Sequence, residues 1–421
     1  RVDSHFDGSV VLVATVGEGH TMTQAPPALP LHMRRDHFDP VAELAEVREE
    51  EGIRRVTSTF GMPAWLVARH DDVRDVLADA TRFSNAGMMA RSLPGDTRTE
   101  EERRRAMAGQ MLATDPPDHT RLRRFLTPEF TVRRMKRVEP RIVEIVEEYL
   151  DAMEAAGSPA DLVPAFALPI PSLVICELLG VPYSDRDEFQ KRTARQLDMS
   201  IPMDERLALQ REGREYMESL VARAKADPGE DMLGMLVREH GHEMTDDELA
   251  GISSLLLIAG HETTSNMLGL GTLALLRHPD QLALVRDDPD AVVPAVEELM
   301  RWLSIVHTGV ARTTTQEVEL AGQTIPAGEL VLCALPSANR DPSFIDEPDR
   351  LDVTRGAMGH LAFGHGVHHC LGAPLARMEM RIAFPALLRR FPGLASALPF
   401  DEIPFRAFHF IYGLHSLPVT W

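Results

Sequence analysis

Phe363-Gly364-His365-Gly366-Val367-His368-His369-Cys370-Leu371-Gly372, close to the C-terminus, decides how the rest of the chain is read. One cysteine sits in a loop punctuated by glycines and crowded with histidines, ahead of an apolar run that predicts a helix over Ala373 to Leu388. A loop built on Gly364, Gly366 and Gly372 can lie flat against a large planar ligand, because no Cβ stands in the way. Cys370 then falls at the start of the following helix, where free N–H groups and the positive dipole end favour a thiolate over a thiol. A thiolate so placed is a metal ligand. The plainer alternative is a buried, inert cysteine beside surface histidines. Zinc is another, since His365, His368, His369 and Cys370 crowd together, but no paired ligand segment occurs elsewhere to complete such a site.

The chain has 421 residues, with 44 Lys and Arg against 64 Asp and Glu, a formal charge of −20. That sign argues against nucleic acid or an anionic membrane as partner. The 3 cysteines, Cys176, Cys333 and Cys370, are too few and too scattered for a disulfide framework, which points to a reducing cytoplasm. The longest apolar run, Leu255 to Gly260, falls far short of the roughly 20 residues that span a bilayer. Residues 1–21 begin with Arg and precede Met22, and they read as an upstream or vector-derived leader. No Gly/Ser-rich linker or repeat divides the remainder, so one domain over 22–421 is expected; a monomer is expected as well.

Ala25 to Pro40 reads as an irregular arm. A hairpin follows, with strands Val56 to Phe60 and Trp65 to Ala68 around a Gly61-Met62-Pro63 turn. Asp71 to Ala78 is helical, whereas Phe83 to Leu112 shows no firm period. Asp118 is a candidate N-cap for a helix that carries His119 and Arg123 four apart on one face, able to grip the same anion. Helices are expected over Val138 to Ala156, Phe166 to Leu179, Arg186 to Leu197 and Asp204 to Ala226, broken at Gly and Pro clusters. Thr245-Asp246-Asp247-Glu248 is a capping box, launching a helix that reaches Arg277, roughly 50 Å long. At its middle, Ala259-Gly260-His261-Glu262-Thr263-Thr264 interrupts an apolar face. Glu298 and Arg301 stand one turn apart on a later helix. Val310 to Arg312 ends a connecting strand, and Val318 to Ala334 reads as a small antiparallel sheet.

Four of these motifs, His119-x-x-x-Arg123, Ala259-Gly260-x-Glu262-Thr263, Glu298-x-x-Arg301 and the cysteine loop, follow one another in the order of a soluble bacterial cytochrome P450, and the chain resembles that family from Phe38 to Trp421. The wording around the loop looks most like actinobacterial enzymes that tailor secondary metabolites. The resemblance implies a mainly α fold with small β-sheets, a single triangular-prism-like domain with heme b between the long central helix and the cysteine-loop helix. It implies Cys370 as iron ligand, the axial ligand known for the family. It places His119, Arg123 and Arg312 on the heme propionates, with His368, Phe363 and Gly364 also against the cofactor. Glu262 and Thr263 stand above the iron as the acid–hydroxyl pair that delivers protons. Arg340 is expected to join Glu298 and Arg301 in a buried network, and Phe83 to Leu112 to form a lid.

The implied activity is a monooxygenase that hydroxylates or epoxidises a bulky hydrophobic small molecule, such as a macrolide or other polyketide. It uses O2 and electrons from NAD(P)H through ferredoxin reductase and ferredoxin. A peroxide-driven enzyme of the same fold commonly replaces the acid–hydroxyl pair, and a redox-silent relative typically lacks that pair or the thiolate; this chain keeps all three residues. Candidate pocket residues are Met88, Met89, Leu256, Ala259, Ile305, Val306, His307, Phe408, Phe410 and Ile411. Arg121, Arg123, Arg124, Arg133, Arg134, Lys136 and Arg137, against Glu129 alone, form a basic stretch suited to steering an acidic ferredoxin.

Overall fold

The structure is a computed structural model that describes residues 29–89 and 96–421, so the leader expected over 1–21 lies outside the described residues. In chain order the longer helices are α1 (His70–Ala78), α2 (Glu100–Met107), α3 (Asp118–Leu126), α4 (Val132–Ala156), α5 (Pro169–Leu179), α6 (Arg186–Leu197), α7 (Met203–Ala226), α8 (Met232–His240), α9 (Asp246–Arg277), α10 (Pro279–Asp287), α11 (Val292–Leu303) and α12 (Ala373–Arg390).

Helix α9 sets the geometry. Thr245 Oγ1 accepts from the Glu248 N–H at 3.1 Å, and Glu248 Oε2 accepts from the Thr245 N–H at 2.9 Å, so the expected capping box forms. The helix then runs unbroken for 32 residues, about 48 Å. From Leu249 to Leu275 it is buried all round except at Ser254, Leu255, Ile258, Ala259, Gly260 and Thr263. Those exceptions all line cavities. Such a helix belongs to the centre of a core, and α5, α7 and α12 pack against it. A Cβ on Gly271 would stand 2.5 Å from the Phe384 ring, so glycine is what lets α12 approach this closely.

A five-stranded sheet runs in the order Ile53–Thr57, Pro63–Val67, Leu330–Cys333, Val310–Thr314, Phe83–Ser84. Its pairs are antiparallel except for Pro63–Val67 with Leu330–Cys333, which is parallel. The strand Leu330–Cys333 is buried on both faces, with Val331 and Cys333 in one apolar cluster and Leu330 and Leu332 in another.

Several expectations are corrected in detail. The single antiparallel sheet over Val318 to Ala334 splits: Val318–Leu320 and Gln323–Ile325 form a separate hairpin, and Leu330–Cys333 joins the larger sheet. The first hairpin turns at Ser58 to Met62, where the Ser58 N–H donates to the Met62 carbonyl at 2.7 Å and Ser58 Oγ accepts from the Met62 N–H at 3.1 Å. Asp118 is the first residue of α3 and makes no cap hydrogen bond. Arg312 lies in the middle of its strand, not at its end. The stretch without period holds α2, capped by a box between Thr99 and Glu102. Helix α2 buries none of its residues, so it leaves no apolar stripe to read.

The Glu298–Arg301 pair is fully buried, both side chains being 0% exposed. Arg301 Nε and Nη2 donate to the carboxylate at 2.7 and 2.8 Å, and its other donors reach the carbonyls of Asn339, Pro348 and Arg350. The expected third member, Arg340, does not touch it. Arg340 is held by the Trp302 carbonyl, Asp39 and Asp349, and Arg355 approaches Glu298 instead, at 3.5 Å. Removing one partner of such a pair strands the other charge in the core. Glu298→Gln is therefore expected to lower the unfolding free energy by about 3–5 kcal/mol, read by chemical denaturation.

Candidate functional site

The cysteine loop is built by short backbone bonds. Gly364 N–H donates to the Leu361 carbonyl at 2.8 Å, His369 N–H to Gly366 at 3.0 Å, and Cys370 N–H to Phe363 at 2.8 Å. Gly364 and Gly366 both take φ +71°, the left-handed region that favours glycine. A Cβ on Gly366 would lie 2.6 Å from the Leu77 carbonyl of α1, whereas one on Gly364 would meet nothing closer than 3.9 Å. The first glycine is a cavity wall and the second a close approach.

Cys370 precedes α12, and the Gly372 and Ala373 amides at the helix start favour its thiolate. Burial pushes the thiol up, opposed by those amides and by Arg123 and Arg377. A metal cation reverses that balance, because coordination takes the thiolate. Among the described residues no group of three or more His, Cys, Asp or Glu side chains is placed to hold a metal ion, so the loop histidines do not complete a zinc set with Cys370.

A cavity of about 580 Å³ lies between α9 and the loop. Its walls are largely apolar, with Leu256, Ala259, Met267, Ile305, Val306 and Phe410 among them, and Thr263 and Thr264 are the hydroxyls that α9 contributes. Of the expected pocket residues, His307, Phe408 and Ile411 are not on this wall; His307 is buried against the His409 carbonyl at 2.7 Å. Met88 and Met89 lie on a short helix, Ala86–Met89, whose methionine side chains fall outside what the structure describes.

Arg123, Arg312 and His368 converge on the cavity wall. His119, 1% exposed, sits behind His368 with ring centroids 4.1 Å apart. Neither nitrogen of either imidazole has a hydrogen-bond partner among the described residues. Burial lowers the pKa of all four groups, that of His368 to about 3, with the neighbouring cations adding to the effect on both histidines. A largely apolar cavity with a sulfur on its wall and a cluster of unsatisfied imidazole nitrogens beside two guanidinium groups fits a metal macrocycle bearing carboxylates. Heme is such a group.

Thr263 Oγ1 donates back to the Ala259 carbonyl at 2.8 Å, a bond that loosens the helix turn beside the cavity. Glu262 does not stand above the cavity with it, which corrects the sequence expectation. Its carboxylate, 2% exposed, lines a second space of about 300 Å³ together with Asn266, Arg406 and His409. Asn266 donates to it at 3.1 Å and Arg406 lies at 3.4 Å. Burial opposes its ionisation, but His261, Arg406, His409 and Asn266 outweigh burial and hold it below the usual carboxylate range.

Sequence reasoning passed over a second ion cluster. Glu297, buried beside Glu298, accepts from Arg377 at 2.7 and 2.8 Å, with His360 at 3.2 Å and Arg381 at 3.5 Å. Arg377 in turn lies over the Phe363 ring at 4.4 Å. The only sequence signal was a lone acid next to a recognised one. Also missed was Glu379 on α12, buried at the cavity wall and pushed well up by burial alone.

A family model described as Cytochrome P450 matches residues 210–396. Cytochrome P450 FAS1 of Rhodococcoides fascians is 51% identical over 394 residues, covering 93% of this chain and 98% of that protein. The solved structure of P450 StaH from glycopeptide antibiotic A47934 biosynthesis superposes with a TM-score of 0.82 at 46% identity, over 93% of this chain and all (100%) of that one. CYP105P1, solved in complex with filipin I, gives a TM-score of 0.87 at 41% identity, over 94% of this chain and 99% of that one. With its cysteine loop, central helix and donor cluster in one place, this chain belongs to the cytochrome P450 family. It is a heme monooxygenase with the P450 fold, and no described helix is long and apolar enough to cross a membrane.

The Glu297 cluster carries a pH signature. Burial raises its carboxyl, but hydrogen bonds from His360 and Arg377 overcome that and bring its pKa from 4.5 down to about 2. A depressed carboxylate contributes stability above its unfolded pKa and loses it as pH falls through the folded value. Glu297→Gln is expected to cost about 3 kcal/mol at neutral pH. In urea unfolding, the gap from the parent should narrow as pH is lowered from 4.5 towards 2.

Proposed function

We propose that the chain inserts one oxygen atom of O2 into a C–H bond or alkene of a bulky apolar small molecule, a secondary metabolite such as a macrolide or other polyketide. Two electrons come from NAD(P)H through a ferredoxin reductase and a ferredoxin. For hydroxylation the balance is substrate, O2, two electrons and two protons giving alcohol and water. The observation that carries this reading is the cavity of about 580 Å³, apolar on most of its wall, with Thr263 on one side and Cys370 on the other. Heme would fill its Cys370 side, which leaves the apolar part beside α9 for substrate, and the P450 relatives from antibiotic biosynthesis and in complex with filipin I support a large natural product.

Heme would be held by Cys370 at the iron and by His119, Arg123, Arg312 and His368 at the propionates, and when bound it would supply the activation of dioxygen. Phe363 and Gly364, on the cavity wall, would pack against it. Thr263 holds a proton at Oγ1 beside the cavity, freed when its bond to the Ala259 carbonyl opens. Glu262, on another side of α9, takes protons from its polar surroundings and passes them by way of water through the loosened turn. Apolar side chains exclude stray water and orient the substrate. The unpaired cysteines support a reducing, cytoplasmic setting.

The basic stretch is reduced by the structure's ion pairs: Arg121 pairs with Glu248, Arg124 with Glu243 and Arg134 with Glu129. Arg133, Lys136 and Arg137 stay exposed on α4. They lie near α3, whose Arg123 donates to the His369 carbonyl at 2.7 Å, so an acidic ferredoxin docked there is close to the cysteine loop.

Cys370→His is expected to abolish the thiolate-type carbon monoxide spectrum, while Cys333→Ser, in a buried strand, keeps it. The reverse pattern moves the iron ligand elsewhere. Thr263→Ala should retain heme and substrate binding yet lower product formation by about 10²-fold, with NADPH still consumed to hydrogen peroxide; unchanged coupling removes Thr263 from the relay. Reversing Arg133 and Arg137 to Glu should slow reduction by ferredoxin by about tenfold in stopped-flow traces, and raising salt should slow the parent likewise.

A further inference from the structure

A separate cavity of about 440 Å³ opens between α2, α6, α7 and α9. Its floor is apolar, with Phe189, Leu255 and Ile258, but its sides carry Arg98, Arg192 and Arg214, together with Arg105, which is paired with Glu218 and Asp247, and Arg211, which is exposed to solvent. Leu255 lines this space and the larger cavity alike, so the two meet at one residue of α9.

The arginines are not equally committed. Arg98 is spent: it donates twice to Asp96 and once to Gln210. Arg214 donates through Nε to Glu218 at 3.0 Å and through Nη2 to the Asp247 carbonyl and carboxylate at 2.9 and 2.8 Å. Its Nη1 is buried and has no acceptor among the described residues. Among the described residues no acceptor atom on this wall is orphaned in the same way. Arg192, 11% exposed, lies over the Tyr216 ring at 5.4 Å, and its one ion pair among the described residues is with Glu188 at 3.5 Å, a carboxylate that is 85% exposed and screened by water. Of the acids on the wall, Glu218 is shared between Arg105 and Arg214, Glu102 closes the Thr99 cap, and Glu215 points to solvent. The unmet demand is for an acceptor, and two guanidinium groups face it. A carboxylate meets that demand best, because its two oxygens match the fork of a guanidinium.

We propose that this cavity is an anion-binding subsite that takes the carboxylate of an amphipathic substrate, whose apolar part extends past Leu255 into the larger cavity. The inference rests on the reading of that larger cavity as the substrate chamber, and it narrows the substrate class to hydrophobic acids. Arg214 and Arg192 fix one end of the molecule, so they set which carbon faces the cysteine side.

The test is calorimetric titration of the heme-loaded protein with deoxycholate and with dodecanoate, each against its methyl ester. Each acid is expected to bind about tenfold tighter than its ester, with the preference shrinking as salt is raised. Arg214→Gln should abolish the preference and Arg214→Lys restore most of it, while ester affinity stays unchanged. Arg192→Gln, on a different helix, should weaken the preference on its own and serves if Arg214→Gln does not fold. Equal affinity of acid and ester in the parent, or a preference that survives both substitutions to Gln, overturns the subsite and leaves the apolar chamber standing. If neither acid nor ester binds, the chamber reading falls and the subsite falls with it.

Discussion

Two neighbouring carboxylates on α11 hold the cofactor end of the molecule together. Successive helix positions point about 100° apart, so Glu298 and Glu297 serve different parts of the chain. Glu298 gathers Arg301, Arg355 and the Asp352 N–H, fixing the segment around residues 348–355. Glu297 gathers His360, Arg377 and Arg381, fixing the approach to the cysteine loop and the start of α12. A carboxylate taken out of water is costly unless donors replace its hydration. Here each is over-supplied, so the stretch between them has one low-energy arrangement, and Cys370 and Phe363 inherit their positions from it.

The cavity is electrically lopsided as a result. Its long walls are apolar, and one end carries the donors. His119 and His368 are held neutral there by burial and by the adjacent cations, so the permanent positive charge belongs to Arg123 and Arg312. On the proposed assignment, those two guanidinium charges would equal the two carboxylates that heme carries. In a chain of charge −20, that local match is chemistry placed against the overall trend.

Much of this was legible before any coordinates. The cysteine loop, the capping box at Thr245 and the apolar length behind it are local patterns, and local patterns survive folding. Helix α6 begins and ends at its expected residues, Arg186 and Leu197, with the Gly180-Val181-Pro182 break ahead of it and Asp198 closing it. What was not legible depends on distance or direction. Helix α2 is charged on every side and shows no stripe. Whether Arg340 or Arg355 reaches Glu298 is decided by how a loop returns, which spacing does not encode. Glu262 and Thr263 were read as a pair, yet adjacent helix residues diverge, and that geometry alone argued against one shared direction. The Glu297 cluster joins residues 63 and 80 positions apart, beyond any sequence period.

The parallel pairing of Trp65 with Val331 joins strands more than half the chain apart. Closing so large a loop costs conformational entropy before any contact rewards it, and such topology folds slowly. Synthesis delivers the N-terminal hairpin first and its central partner only near the end. Until then the strand Pro63–Val67 has a bare edge, with Leu66 and Val67 ready to pair with any other extended chain. The newborn protein thus carries a period of vulnerability to aggregation, and its length is set by the time the ribosome takes to reach Leu330.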